Sequence, residues 1–334
     1  MTLKIAIAGL GRIGQIHLEN LLQLKEVQVV GATDPIQASL KFAENRGVKC
    51  YDSFDSLLDE SGCEALVICS PTDTHADYTI RAAEKGKHIF CEKPLDLSLD
   101  KVNEVIAVIE RTQTKLMLGF NRRFDKEFMS VKEQVLNGAI GDLHIVRITS
   151  RDPKAPPASY IAHSGGIFLD MSIHDFDMAR FIVGKEVVQV YAQGAVRIDP
   201  EIGAAGDLDT AVIQLTFSDQ TIAVIDNSRQ AVYGYDQRLE AFGSSGMIRA
   251  ENRTTDRHEL FTAKGVHSAL PEYFFLERYA EAYKTELQSF VEHLTQGTAI
   301  SPNAYDGLAS LKIGLAAKRS IEEQRPVHLD EFKS

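Results

Sequence analysis

Four residues carry groups able to move a proton or steady a negative oxygen: Lys93, Asp170, His174 and Asp177. Three of them come from FLDMSIHDFD, residues 168–177. There Phe168, Leu169, Ile173 and Phe176 are core-type residues, while Asp170, His174 and Asp177 stand at i, i+4 and i+7. Those offsets predict one helix with two acids and a histidine on a common face. Three readings of that face are open. A solvated face fits poorly with so many apolar neighbours. A metal site has tolerable geometry but lacks a clear second cluster of ligands. An acid–base site suits a histidine, whose ordinary pKa lies close to neutrality. Lys93 stands in CEKPL just before Pro94, which biases it to an extended conformation at a strand end. A surface lysine is the bland alternative there.

A second set of residues could hold a nucleotide. AGLGRIG places Gly9, Gly11 and Gly14 in the pattern G-x-G-x-x-G, after an apolar strand and at the start of a helix. The first glycine makes a tight turn, the second lets backbone approach a pyrophosphate, and the third lets helix and strand pack closely. The helix start supplies free N–H groups for the anion. Asp34 follows Gly14 by 20 positions, where an acid is expected to grip the adenosine ribose hydroxyls. A carboxylate there would repel a 2′-phosphate, and Pro35 rather than an arginine comes next, so NAD is favoured over NADP. Arg12 could assist a phosphate, and Asp34 could instead be a helix cap. CSPTDTH, residues 69–75, ends another strand, so Thr72 and His75 could border the cofactor. The expected cofactor contacts are Gly9, Gly11, Arg12, Ile13, Gly14, Asp34, Ser70, Thr72, His75, Glu92 and Lys93.

These residues need a scaffold, and the hydrophobic rhythm predicts one. From KIAIAG to KLMLGF, six short apolar runs alternate with helical patterns. That predicts an α/β N-terminal domain of the Rossmann type over residues 1–120, a parallel, doubly wound sheet covered on both faces. After residue 120 the rhythm changes. FDKEFMSVKEQVLNG reads as a helix and GDLHIVRITSRD as a strand. From Val187 to about Ala250 the chain reads as strands, with TAVIQLTFSDQTIAVIDNS the clearest hairpin. Two helical stretches, near 274–296 and 303–324, finish it. Residues 121–334 therefore read as an α+β domain with a large, mainly antiparallel open sheet.

Bulk composition narrows the partners. With 334 residues the chain is natural for two domains, and its 44% hydrophobic and 25% charged content is that of a soluble globular protein. The formal charge of −11 argues against general binding to nucleic acid or an anionic membrane. Cys50, Cys63, Cys69 and Cys91 make no C-x-x-C pair and read as free thiols. There is no signal-like start and no apolar run of spanning length, so a cytoplasmic location is expected.

GLGRIG, TDTH, EKPL and GGIFLDMSIHDFD, in this order and spacing, resemble the glucose–fructose oxidoreductase and inositol dehydrogenase family. GFNRRFD, SRDP, YGYDQRLE and RYAEAYKTEL are similar to the bacterial members that act on inositol, and the resemblance spans essentially the whole chain. It implies NAD-dependent oxidation of a ring hydroxyl of myo-inositol to the 2-keto-inositol. It implies Lys93, Asp170 and His174 as the catalytic set, with the substrate proton passing to His174. Expected substrate contacts are Arg123, Asp152, Asp170, His174, Tyr235 and Tyr283, although some relatives have His-x-Asn where Asp152 falls. Two other readings share these motifs: a dehydrogenase of scyllo-inositol, chiro-inositol or an aldose, and a non-catalytic dinucleotide-binding regulator. The presence of both Lys93 and His174 favours an enzyme. The resemblance also implies a homodimer or homotetramer. The apolar set from Ala211 to Phe217 could bury against a second copy or against helices of its own domain.

Overall fold

The computed structural model describes residues 2–157, 160–161 and 164–332. The chain packs as two compact units. One holds the residues up to Phe124 together with Glu281–Leu311; the other holds Asp125–Ala280 together with the segment from Lys312 on.

The first unit is built on six parallel strands: β1 (Leu3–Ala8), β2 (Val27–Thr33), β3 (Cys50–Tyr51), β4 (Ala65–Ile68), β5 (His88–Cys91) and β6 (Leu116–Leu118). Their order is β3-β2-β1-β4-β5-β6, so the sheet reverses direction of growth between β1 and β4. In open α/β sheets the crevice beyond the strand ends at such a reversal takes the ligand. The turn after β1 carries the glycines, the end of β2 leads to Asp34, and the segments after β4 and β5 carry Ser70 and Lys93. Every residue of β4 is buried, as expected of a strand covered on both faces. The connecting helices are α1 (Arg12–Gln23), α2 (Gln37–Glu44), α3 (Phe54–Glu60), α4 (Thr72–Glu84) and α5 (Leu99–Thr112). Ser53 caps α3 in a reciprocal box with Ser56. The helix Ala280–Gln296 belongs to this unit's core, where Leu287, Phe290 and Val291 join Ile5, Ile7, Leu18 and Phe90.

The second unit opens with α6 (Lys126–Leu136), whose first turn is capped by the Asp125 carboxylate. Its sheet contains β7 (Leu143–Arg151), β8 (Val187–Ala195), β9 (Thr210–Phe217), β10 (Ile222–Ser228), β11 (Asp236–Gly243) and β12 (Gly246–Ala250). The order is β12-β11-β7-β10-β9-β8, with Val327–His328 pairing on beyond β8. Among the described residues only the β7–β10 pairing is parallel, so the sheet is mainly antiparallel. Ala211, Ile213, Leu215 and Phe217 are all 1% exposed or less, so the alternation of β9 is satisfied within the chain's own core. Val212 on the opposite face is half exposed.

The stretch 168–177 departs from the single helix its periodicity predicts. Residues Ile167–Met171 form a wide π turn, in which the Ser172 N–H donates to the Ile167 carbonyl at 2.8 Å. An α-helix, α7 (Ile173–Val183), starts only after it. The cause lies on the N-terminal side. Gly165 and Gly166 take φ of 87° and 77°, which glycine tolerates best. The Asp207 carboxylate accepts the Ile167 N–H at 3.0 Å and occupies the space a side chain on Gly166 would need. The extra residue in the turn breaks the common face. Asp170 and His174 keep partial exposure while Asp177 is buried.

Candidate active site

The glycine turn has the shape a dinucleotide requires. A Cβ on Gly9 would come within 2.4 Å of the Ser70 nitrogen, and one on Gly14 within 2.0 Å of the Gly9 carbonyl oxygen. Both glycines are therefore needed for close packing of β1, β4 and α1. A Cβ on Gly11 would meet nothing within 4 Å, so the backbone there faces open space. Gly11 is the N-cap of α1, it has no side-chain cap, and the first turn has no acidic residue. The helix thus presents N–H groups and its positive end, which fits a pyrophosphate. Arg12 is exposed at the first helical position, and Ile13 is half-buried behind it.

Asp34 ties this turn to the end of β2. Its Oδ2 accepts the Leu10 N–H at 2.6 Å and its Oδ1 accepts the Ile36 N–H at 2.8 Å. The cap residue of α2 is Ile36, so Asp34 does not cap that helix. A carboxylate has about four lone-pair sites, so two remain for ribose hydroxyls.

The segments after β4 and β5 are clamped together by one ring. His75 is 2% exposed, and its Nδ1 lies 2.8 Å from the Pro94 carbonyl while its Nε2 lies 2.8 Å from the Ser70 carbonyl. Two carbonyl acceptors favour a second proton on the ring, but burial outweighs them and pushes its pKa down. His75 therefore fixes TDTH against EKPL. Thr72 starts α4 half-buried, and the Ser70 hydroxyl pairs with that of Thr74 at 2.6 Å. Lys93 is half-buried and joined to Pro94 by a cis peptide. Next to it, Glu92 Oε1 sits 2.6 Å from Nε2 of the buried His17. A Cβ on Gly119 would meet the Glu92 carboxylate at 2.8 Å, so the glycine of GFNRRFD makes room for this pair.

Two other expected site residues lie in the first unit. Arg123 is 7% exposed, and its guanidinium donates to Asp306 at 2.9 Å and to the Ser301 hydroxyl at 3.2 Å. The Tyr283 ring stands edge-on to His17, with centroids 5.7 Å apart.

The second unit gathers Asp170, Asp152, Arg229 and Tyr160. Asp170 accepts from the Tyr160 hydroxyl at 3.0 Å and from Arg229 Nη1 at 3.2 Å. The same Nη1 lies 3.7 Å from Asp152, so one nearly buried guanidinium stands between two acids. Partial burial and the Asp170 charge push the Tyr160 hydroxyl up, which keeps it a donor. His174 sits one turn on from Asp170 at the start of α7. Tyr235 is buried in this unit with its ring edge-on to Tyr279.

The helix that carries His174 is held to the sheet by a buried polar network. Asp175 is 0% exposed; Ser150 of β7 donates to its Oδ1 at 2.6 Å, and Asn227 of β10 donates to its Oδ2 at 2.8 Å. The Ser172 hydroxyl donates to Asn227 and lies 3.1 Å from the Ile167 carbonyl. Ser150 also reaches Gln237 of β11. Sequence reasoning did not single out Asp175, Arg229 or Tyr160, nor His17 and its neighbour Glu286. A polar residue amid apolar ones, as in IHDF and VIDNS, was the one available signal for the network.

Among the described residues, the groups close enough to share an ion are His17, Glu92 and Glu286, a set that excludes Asp170, His174 and Asp177. No helix among the described residues is long and apolar enough to cross a membrane.

Comparison with known proteins bears on both units. Residues 3–120 match the model of an oxidoreductase family with an NAD-binding Rossmann fold, and residues 128–249 match the GFO/IDH/MocA C-terminal domain. The chain is 47% identical to the myo-inositol 2-dehydrogenase of Thermotoga maritima, over 98% of this chain and 99% of that protein. It is 44% identical to the inositol 2-dehydrogenase of Rhizobium meliloti, over 98% of this chain and all of that protein. A solved structure of scyllo-inositol dehydrogenase from Lactobacillus casei, with bound NAD(H) and scyllo-inositol, superposes with a TM-score of 0.93 at 34% identity, covering 99% of this chain and 100% of that one. With the glycine turn, the E-K-P lysine and the D-x-x-x-H pair all present on such a scaffold, the chain belongs to the GFO/IDH/MocA family of NAD-binding oxidoreductases.

Proposed function

We propose that this chain oxidises a ring hydroxyl of myo-inositol to the 2-keto-inositol, with NAD as the oxidant. The observation that carries this reading is the presence of Lys93, Asp170 and His174 in a chain so similar, over nearly its whole length, to a protein named for that reaction. NAD, when bound, supplies the two-electron acceptor for the hydride that leaves the carbinol carbon. His174 takes the hydroxyl proton as the carbon–oxygen bond becomes a carbonyl. The Lys93 ammonium donates to the same oxygen and steadies its developing negative charge. Asp170, held by Arg229 and Tyr160, accepts from a neighbouring hydroxyl and so orients the ring. The substrate is uncharged and ringed with hydroxyls, so its recognition rests on several donors and acceptors rather than on one strong ion pair. Arg123, Asp152, Tyr235 and Tyr283 complete that set in this reading.

In this reading residues 1–120 are the NAD-binding domain and 121–334 the substrate-binding and oligomerisation domain, although Glu281–Leu311 of the latter packs in the first unit. The chain works in the cytoplasm as a homodimer or homotetramer, with no nucleic-acid or membrane partner. Formation of reduced nicotinamide, followed by absorbance, tests the activity with myo-inositol beside scyllo-inositol, D-chiro-inositol, glucose and xylose, and with NAD and NADP. The expected outcome is turnover of myo-inositol with NAD. Turnover of another inositol or an aldose instead would keep the chemistry and move the substrate, and NAD binding without turnover of any of them would point to a regulator.

A further inference from the structure

Behind the E-K-P segment lies a sealed acidic cluster that the reaction above does not use. His17 of α1, Glu92 and Glu286 bring one polar atom each to within 4.8 Å of one another. His17 and Glu286 are both 0% exposed. His17 Nε2 is 2.6 Å from Glu92 Oε1 and 3.9 Å from Glu286 Oε1. Neither oxygen of Glu286 has a hydrogen-bond partner among the described residues.

A shared metal ion does not account for this geometry. Two ligand atoms on one tetrahedral ion stand about 3.3 Å apart, whereas the His17–Glu92 separation of 2.6 Å is that of a shared proton. The remaining question is the charge of Glu286. An ionised carboxylate there would be out of water, without a donor, and facing a second carboxylate, which is the least favourable setting for a negative charge. Burial first, and the charge of Glu92 second, push its carboxyl well above the ordinary range. The titratable groups that face it are His17 from α1, Cys69 after β4 and Glu92 at the end of β5. The Cys69 thiol, likewise pushed up by burial, adds no charge.

We infer that Glu286 is a positioning residue for the proposed reaction: a buried carboxylic acid that keeps its proton and, packed 3.9 Å from His17, supports the His17–Glu92 pair at the strand end that bears Lys93. The inference rests on the function proposed above for the role of Lys93, but not for the proton. Glu92 and Lys93 are adjacent, so a contact that fixes the Glu92 side chain helps to fix the backbone that carries Lys93.

The test compares Glu286→Gln and Glu286→Ala in the full chain, with Glu286→Met in place of the alanine variant should that one not fold. Gln keeps the shape and neutrality of the acid. It is expected to retain kcat within about threefold, while Ala or Met lowers kcat by roughly tenfold to a hundredfold with the NAD dissociation constant nearly unchanged. The melting temperature supplies a readout free of activity. A carboxyl whose folded pKa is raised binds its proton longer in the folded state, so its stabilising effect is full below the unfolded value of about 4.3 and is lost as pH rises through the folded value. The advantage of Glu286→Gln over the parent in melting temperature should therefore grow as pH rises from about 5 to about 8. A flat difference, or a Gln variant as slow as the Ala variant, would overturn the protonated acid. Unchanged kcat in the Ala or Met variant would overturn the positioning role. If the parent turned over no polyol, the proposed function would fail, and the pH series would still decide whether Glu286 holds its proton.

Discussion

At the scale of single residues, the chemistry depends on groups whose partners are set by burial. Lys93→Met and His174→Ala are each expected to remove most turnover, by about a hundredfold or more, while NAD titrated by fluorescence binds nearly as before. Normal turnover in either variant would exclude that residue from the reaction. Asp34 has two duties, since it holds the Leu10 N–H of the glycine turn and keeps lone pairs for a ribose. Asp34→Ala should raise the KM for NAD by about tenfold, the loss of one hydrogen bond to a charged group, and should narrow the preference over NADP. An unchanged KM would leave the acid with only its backbone contacts. Arg229 shows how a site residue escapes notice in a sequence. It stands 59 positions from Asp170, with no motif around it, and the pair exists only because the turn before α7 packs against the end of β10, where Ser172 donates to Asn227.

At the scale of elements, the decisive feature is how α7 and the π turn before it are fastened. Asp175 receives donors from two neighbouring strands with no exposure to water. Removing a buried acceptor strands two donors, so Asp175→Ala should cost about 2–4 kcal/mol in urea unfolding. It should also lower kcat, because Asp170 and His174 flank the anchored segment. A variant with parental stability and kcat would show that packing alone holds the helix. The periodicity of FLDMSIHDFD predicts one helix with Asp170, His174 and Asp177 on a common face. It missed the π turn, because the turn is imposed by Asp207, a residue 40 positions away from Ile167.

At the scale of the whole molecule, the two faces of the second sheet differ in kind. The inner face is closed by the chain's own core, as the near-zero exposure of Ala211, Ile213, Leu215 and Phe217 shows. The outer face carries Val212, Phe242 and Met247, all about half exposed, among Arg147, Arg151, Arg238 and Arg249 and their acidic partners Glu240, Asp226, Asp236 and Glu251. Both signs of charge on one surface suit a self-complementary contact. Analytical ultracentrifugation is expected to give a dimer or tetramer, and Val212→Glu with Phe242→Glu should shift it toward monomer. A monomeric parent would remove this face from the assembly.

Local spacing by itself determined much of the protein. Six apolar runs broken by helical patterns specify a parallel sheet, because a strand covered on both faces has no polar alternation. Three glycines and an acid 20 positions on specify the nucleotide turn, because only glycine admits such close backbone contacts. Tertiary structure alone decided the partners. Glu286 meets His17 only because a C-terminal helix returns to the first unit's core, and Asp175 meets Ser150 and Asn227 only through strand order. Spacing sets which residues share a turn or a strand face. Burial and long-range contact set what each side chain touches, and so which acids stay charged, which helix is anchored and where a wide turn forms.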